Sequence, residues 1–271
     1  MLKAGVSKVL ITGASAGIGE AAAYAFSDLK CQLFLVARRQ ERLTRIAESC
    51  RQKGAPQVVC QAHDLSVPGK GATIVQECFQ TLGGLDVLIC NAGYGIYGPV
   101  AEIPPDQMAR IWQVNYQSGY ESIHAALPHF LERREGHIVL VSSVVGKKAV
   151  PFSATYCATK FAQAGLGDAM WGELKEHGVG VSVICPGATA TEFQQAAQKT
   201  ENQQSISWGR AQSPEVVAQA IVRAVQHKKR EIRLTVGGKL LCFLERLSPS
   251  LTSHALAWIF NRRPKNYPTD S

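Results

Sequence analysis

The sequence predicts an α/β fold, a doubly wound parallel β-sheet with helices on both faces, in a single domain. Three observations predict it. Short apolar runs lack polar alternation, helical stretches separate them, and a glycine-rich turn joins the first run to the first helix. Continuous apolar runs suit parallel strands buried on both faces. Repeated β-α units imply a parallel sheet with helical crossovers.

The expected strands are residues 8–13, 31–37, 57–62, 86–91, 137–142 and 179–185. Helices are expected over 17–29, 39–53, 67–82, 105–132 and 155–176. A seventh strand is expected at 231–236, after a helix opened by Ser213, Pro214 and Glu215 as N-cap, N1 and acidic first turn. No Pro/Gly/Ser-rich linker divides the chain. The reading is one domain over 1–236, with a substrate lid near 188–212 and a basic amphipathic extension over 237–271.

Composition excludes several classes. A chain of 271 residues that is 46% hydrophobic supports a sizeable core. Eight scattered cysteines without a C-x-x-C pair argue against a disulfide framework or zinc site, and no histidine has metal-ligand spacing, so no metal is expected. Between His227 and Ser271 nine Lys or Arg stand against three acids, which is six of the eight net positive charges. The body is nearly neutral, which leaves no nucleic-acid footprint. With no leader-like segment and no apolar run of membrane-spanning length, a cytoplasmic enzyme is expected.

The turn Thr12–Gly19, "TGASAGIG", carries Gly13, Ser15, Ala16, Gly17, Ile18 and Gly19 between strand and helix. Glycines there let a pyrophosphate approach the backbone at a helix N-terminus. A tight packing turn is the plainer alternative. The second strand ends in Arg38 and Arg39, with no carboxylate to accept a ribose 2′-hydroxyl. Two guanidiniums suit a 2′-phosphate, so NADP (NADPH) is expected over NAD. Tyr156 and Lys160 stand four apart on one helix face, where a cation is expected to lower the phenol pKa. Alone, such a pair reads as a surface contact. Cys157, near a helix start, reads as a packed thiol.

Together these features resemble the short-chain dehydrogenase/reductase family from residue 8 to about 233. Thr12-Gly13-x-x-x-Gly17-x-Gly19 resembles its cofactor loop, and Asp64-Leu65 its adenine-contacting pair. Asn91-Ala92-Gly93 resembles its fourth-strand motif. Asn115 and Ser143 precede Tyr156 by forty-one and thirteen residues, and Pro186-Gly187 is followed by Thr189 and Thr191. The resemblance implies a Rossmann fold and an NADPH-dependent oxidoreductase acting on a carbonyl or secondary alcohol. It implies Tyr156 as proton donor, Ser143 as holder of the carbonyl oxygen, Lys160 as ribose anchor, and Asn115 as the seat of a proton-relaying water.

The implied pocket includes Tyr94, Ile96, Tyr97, Val145, Gly146, Val150, Pro151, Phe152, Phe193 and Trp208. Its apolar character suggests a hydrophobic ketone. Lys147 and Lys148 offer a 3-oxoacyl-thioester on an acidic carrier or coenzyme A as an alternative, and a catalytically silent dinucleotide sensor is the other. The resemblance further implies a homodimer or homotetramer through helices at 117–132 and 155–176. There Ala125, Ala126, Ala158, Ala162, Ala164 and Gly165 allow close approach.

In the extension, Leu240, Phe243, Leu244, Leu247, Leu251, Ala255, Trp258 and Ile259 recur at helical steps interrupted near Pro249. Arg246, Arg262, Arg263 and Lys265 accompany them. Burial against the protein or a sister subunit is the expected fate of this stripe. A peripheral membrane contact is the alternative.

Overall fold

The computed structural model describes residues 2–4, 6–193, 197–200 and 211–261. Among them the strands are β1 (Lys8–Thr12), β2 (Gln32–Ala37), β3 (Val58–Ala62), β4 (Val87–Cys90), β5 (Ile96–Tyr97), β6 (Gly136–Val141), β7 (Val179–Cys185), β8 (Gln198–Lys199) and β9 (Glu231–Arg233). Seven of these form one sheet in the order β3-β2-β1-β4-β6-β7-β9, and all its pairings are parallel. β5 and β8 form a separate parallel ladder. The doubly wound expectation is met.

Helices α1 (Gly17–Asp28), α2 (Gln40–Gln52), α3 (Lys70–Leu82), α4 (Pro105–Trp112), α5 (Ser118–Arg133) and α6 (Ala154–Leu174) follow the strands. Then come α7 (Pro214–His227), α8 (Val236–Leu247) and α9 (Pro249–Asn261). The period-2 geometry of a strand sends alternate side chains to opposite layers. Val9 and Ile11 meet apolar residues of α1, α2 and α7 on one face. Leu10, Leu88 and Ile138 meet those of α3, α5 and α6 on the other. Both layers are buried, so the strands lack polar alternation.

Three expected elements differ. The helix expected over 105–132 is broken by a π-turn at Gln113–Gln117, where an extra residue is accommodated. Asn115 sits in it and satisfies the backbone of Tyr94 instead of its own helix. Its Oδ1 accepts from the Tyr94 N–H at 3.0 Å, and its Nδ2 donates to the Tyr94 carbonyl at 2.9 Å. The helix expected from 67 begins at Lys70, after Gly69 in the left-handed region (φ +81°). The strand expected over 231–236 ends at Arg233, because the Thr235 hydroxyl accepts from the Gly238 N–H and caps α8.

His137 of β6 is buried, and its Nε2 lies 2.8 Å from the Ser182 hydroxyl. Burial, aided by Lys228, pushes its pKa down from 6.5 to about 3. The unfolded chain takes up this proton below pH 6.5 and the folded one refuses it, so stability is complete above that pH and lost as pH falls toward 3. We expect about 2.5 kcal/mol of destabilisation from this residue between about pH 7 and pH 4.5. Urea unfolding at both pH values checks it, with His137→Gln showing a smaller pH difference than wild type.

Candidate active site

Every strand of the first half of the sheet ends at the same rim, and its following turn contributes to one cleft of about 480 Å³. Gly13 and Gly17 have φ of +68° and +58°, a region costly to residues with a Cβ. Gly19 has an ordinary conformation, but a Cβ there would strike the Gly13 carbonyl, so this glycine serves helix–strand packing. Ser15 through Ile18 line the cleft at the N-terminus of α1, whose first N–H groups have no partners within the helix.

Thr12 and Asn91 fasten the two strands that flank the cleft. The Thr12 hydroxyl accepts from the Asn91 and Ala92 N–H groups at 3.0 and 3.1 Å and donates to the Ile89 carbonyl. The Asn91 amide donates to the Thr12 carbonyl at 2.9 Å. Ala92 and Gly93 follow into the cleft wall, opposite Pro186, Gly187, Thr189 and Thr191.

Three guanidiniums line the end formed by β2 and β3: Arg38, Arg39 and Arg110. Arg39 reaches the Ser15 hydroxyl at 3.3 Å and Glu192 at 3.0 Å, and Glu192 also holds Arg42 at 2.5 Å. The Ser66 backbone N–H, at 2.9 Å, holds the Asp64 carboxyl below its usual pKa, with help from Arg38 and Arg110. Leu65 beside it is buried and also lines the cleft. Sequence reasoning missed Arg110 and Glu192, which have no motif around them.

At the other end Tyr156 is 9% exposed within an apolar cluster containing Ile96, Val145, Val150, Tyr94, Tyr97, Phe152 and Phe193. Its ring meets Phe193 at 5.5 Å and Tyr97 edge-on at 6.1 Å. The Ser143 hydroxyl accepts from the Val145 N–H at 3.3 Å, donates to the Pro186 carbonyl at 3.4 Å, and is near enough to Tyr156 to oppose the rise of its pKa. The expected depression of the Tyr156 pKa is not what the structure shows. Desolvation raises it well above 10, with Tyr97 and Cys157 adding to the rise, although the Lys160 ammonium lies over the Tyr156 ring at 5.7 Å from its centroid. Lys160 donates to the Val141 carbonyl and to Gln163 Oε1, both at 2.9 Å, and burial lowers its own pKa from 10.5 to about 7. The Cys157 thiol is buried and pushed up, in keeping with a packed role.

Of the expected catalytic and cofactor residues, Gly19 and Asn115 stand behind the cleft wall, and the others line it. Of the expected pocket, Ile96, Gly146, Val150, Pro151 and Phe152 also stand behind that wall. Trp208 and part of the 188–212 segment lie outside the described residues.

Comparison with known proteins is decisive for the family. The family model for short chain dehydrogenases matches residues 7–202. The chain belongs to the short-chain dehydrogenase/reductase family. It is similar to the Bos taurus "Dehydrogenase/reductase SDR family member 7B", 32% identical over 261 residues, covering 92% of this chain and 80% of that one. It is similar to the Nostoc "Ketoacyl reductase HetN", at 29% identity over 92% of this chain and 88% of that protein. It also resembles the crystal structure of a metagenomic short-chain oxidoreductase in complex with NADP. The identity there is 29%, the TM-score 0.72, and the coverage 84% of this chain and 96% of that one.

As a short-chain dehydrogenase/reductase, the chain is an oxidoreductase of the CH–OH/C=O class. Two of its features depart from expectation. Lys147 and Lys148 do not reach toward an acidic carrier. Lys147 pairs with Glu231 at 2.6 Å, and the buried Lys148 pairs with Glu245 at 2.8 Å and Ser253 at 2.7 Å. Between Lys160 and Asn115 lies a side chain, not only room for a water. The Gln163 amide donates to the Asn115 carbonyl at 2.7 Å while its oxygen receives Lys160. Its position three residues after Lys160, on the same helix face, was the signal available.

Gln163→Leu removes an acceptor from the Lys160 ammonium, so the pKa of that group is expected to fall. Gln163→Glu supplies a carboxylate, so it is expected to rise. A pH–rate profile measured for both variants should show its Lys160 limb moving in opposite directions. Gln163→Leu should also cost about 2 kcal/mol in urea unfolding, from the partners left unsatisfied.

Proposed function

We propose that the protein is an NADPH-dependent reductase of an apolar ketone, the reverse oxidation of the secondary alcohol being the same chemistry. The observation that carries this reading is a buried phenol, Tyr156, held in its protonated form inside an apolar cluster that opens onto the cleft. The phenol is protonated at neutral pH and stands beside Ser143 and Lys160 on the cleft. A positive charge brought by the cofactor and Lys160 would offset the desolvation that weakens it as an acid.

The dinucleotide fits the residues present. Left-handed glycines and an open helix N-terminus suit its pyrophosphate, and the guanidiniums of Arg38 and Arg39 suit a 2′-phosphate. Asp64 and Leu65, then Asn91, Ala92 and Gly93, would flank the adenosine half, and Pro186, Gly187, Thr189 and Thr191 the nicotinamide half. When bound, the cofactor supplies a hydride to the carbonyl carbon. Tyr156 then gives its proton to the carbonyl oxygen. Ser143 fixes that oxygen and stabilises the charge it develops. Lys160, buried and anchored by Val141 and Gln163, would hold the ribose hydroxyls, with Asn115 behind Gln163. Val145, Tyr94, Tyr97 and Phe193 exclude water from the substrate side.

The likeness to a ketoacyl reductase favours a 3-oxoacyl-thioester as second reading. The commitment of Lys147 and Lys148 to ion pairs removes the attraction for an acidic carrier that motivated it. A symmetric dimer or tetramer belongs to the proposal, supported by an aromatic file on α4–α5, Trp112, Tyr116, Tyr120 and His124, and by the exposed Phe161 of α6. Ala126 and Ala164 are core residues and take no part in that contact.

Tyr156→Phe keeps the ring and removes the acid. Turnover should fall at least about a hundredfold, with NADPH affinity by fluorescence titration unchanged. Replacing Arg38 and Arg39 together with Ala should weaken NADPH at least about tenfold and leave NADH within a factor of about two, since each charge-assisted bond contributes roughly 1.5–3 kcal/mol. Equal wild-type affinity for the two dinucleotides would contradict the assignment.

A further inference from the structure

The apolar stripe of the extension faces outward. Leu247 and Leu251 are 67% and 69% exposed, and Leu240, Phe243, Leu244, Trp258 and Ile259 are exposed as well. Of the expected burial against the protein or a sister subunit, burial against the chain itself is not found for these side chains. The inward sides of α8 and α9 are instead mostly small or polar: Gly238 and Cys242 on the first, Thr252 together with the buried Phe260 on the second. Scattered exposed leucines are ordinary on any surface, but a contiguous apolar face on two successive helices marks a contact.

The orientation is fixed by the body of the protein. Thr235 caps α8, and Lys148 ties both helices down through Glu245 and Ser253. Phe260 and Leu256 of α9 pack into the apolar cluster around Tyr156. One side of α9 therefore packs into the cluster that holds Tyr156, while its other side is exposed.

Charge selects the occupant. The exposed charged side chains of the two helices are the cations Lys239 and Arg246, whereas Glu245 is taken by Lys148. The sequence following α9 adds Arg262, Arg263 and Lys265 before its next acid, Asp270. A two-fold contact through this face would bring like charges together, whereas anionic headgroups complement them. The helices are 12 and 13 residues long, and no helix among the described residues is long and apolar enough to cross a membrane. Amphipathic helices of this kind lie in the plane of a lipid interface.

We propose that the outward face of α8 and α9 docks on an anionic lipid surface, with its apolar side chains in the interface and Lys239 and Arg246 among the headgroups. The cluster that holds Tyr156 is then tied through Leu256 and Phe260 to the helix on the lipid. This contact is independent of the cofactor and of the reaction.

The test is co-sedimentation of the full chain with phosphatidylglycerol-containing vesicles and with pure phosphatidylcholine vesicles, at low and high salt. Wild type should pellet with the anionic vesicles at low salt and be released by high salt. Phe243→Ser, Leu247→Ser and Leu251→Ser combined should reduce partitioning at least about tenfold. Because those residues are exposed, the melting temperature of this variant should match wild type. Lys239→Gln with Arg246→Gln should weaken binding to anionic vesicles alone. Wild type remaining in the supernatant, or a serine variant that pellets equally, overturns the proposal. So does light scattering that shows a wild-type oligomer dissociated by the serine changes without lipid binding, which would assign the face to a second copy.

Discussion

The reversal of strand order between β1 and β4 is the constraint on which the rest of the molecule depends. From β1 the chain builds outward to β2 and β3, then crosses back to place β4 on the other side of β1. Neighbouring turns diverge at that point and leave a crevice over the carboxyl ends of the strands. The Thr12 hydroxyl and the Asn91 amide hold its two sides together with buried or part-buried hydrogen bonds. The glycines of the turn then become necessities of geometry. Gly13 and Gly19 pass beneath Asn91 and Ala92, and Gly17 passes beside Thr191, where a Cβ would collide.

Dryness governs the chemistry at the far end of that crevice. Burial raises the Tyr156 phenol and lowers the Lys160 ammonium to about 7, so neither group is charged at low cost. The Lys160 ammonium is nevertheless firmly directed: Val141 on one side, Gln163 on the other, and the π-turn carbonyl of Asn115 behind Gln163. The π-turn matters because it frees the Asn115 side chain to hold Tyr94 while its carbonyl faces α6. Packing and polar satisfaction thus position the lysine more firmly than attraction to the tyrosine would.

Much of this is legible in the sequence. Apolar runs without alternation reveal strands buried on two faces, and the glycine turn and arginine pair mark one end of the cleft. What stays hidden shares one physical cause. Periodicity tells which residues lie on one face of a helix, but not what that face meets. The run from Leu240 to Ile259 is legible as a stripe, yet it faces away from the body. Lys147 and Lys148 look free in the sequence, because their partners, 84 and 97 residues downstream, meet them only in the fold. Arg110 reaches the cleft from a helix with no motif, and the π-turn is set by a tertiary contact with Tyr94, not by local propensity.

The central claim is that the cleft holds a nicotinamide against a carbonyl beside Tyr156, in one orientation. NADPH carrying deuterium on a single face of C4 tests it directly, with the product of an apolar ketone examined by mass spectrometry. The account predicts that deuterium from one face alone appears on the carbinol carbon and none from the other. Label lost to water, or equal transfer from both faces, would contradict it.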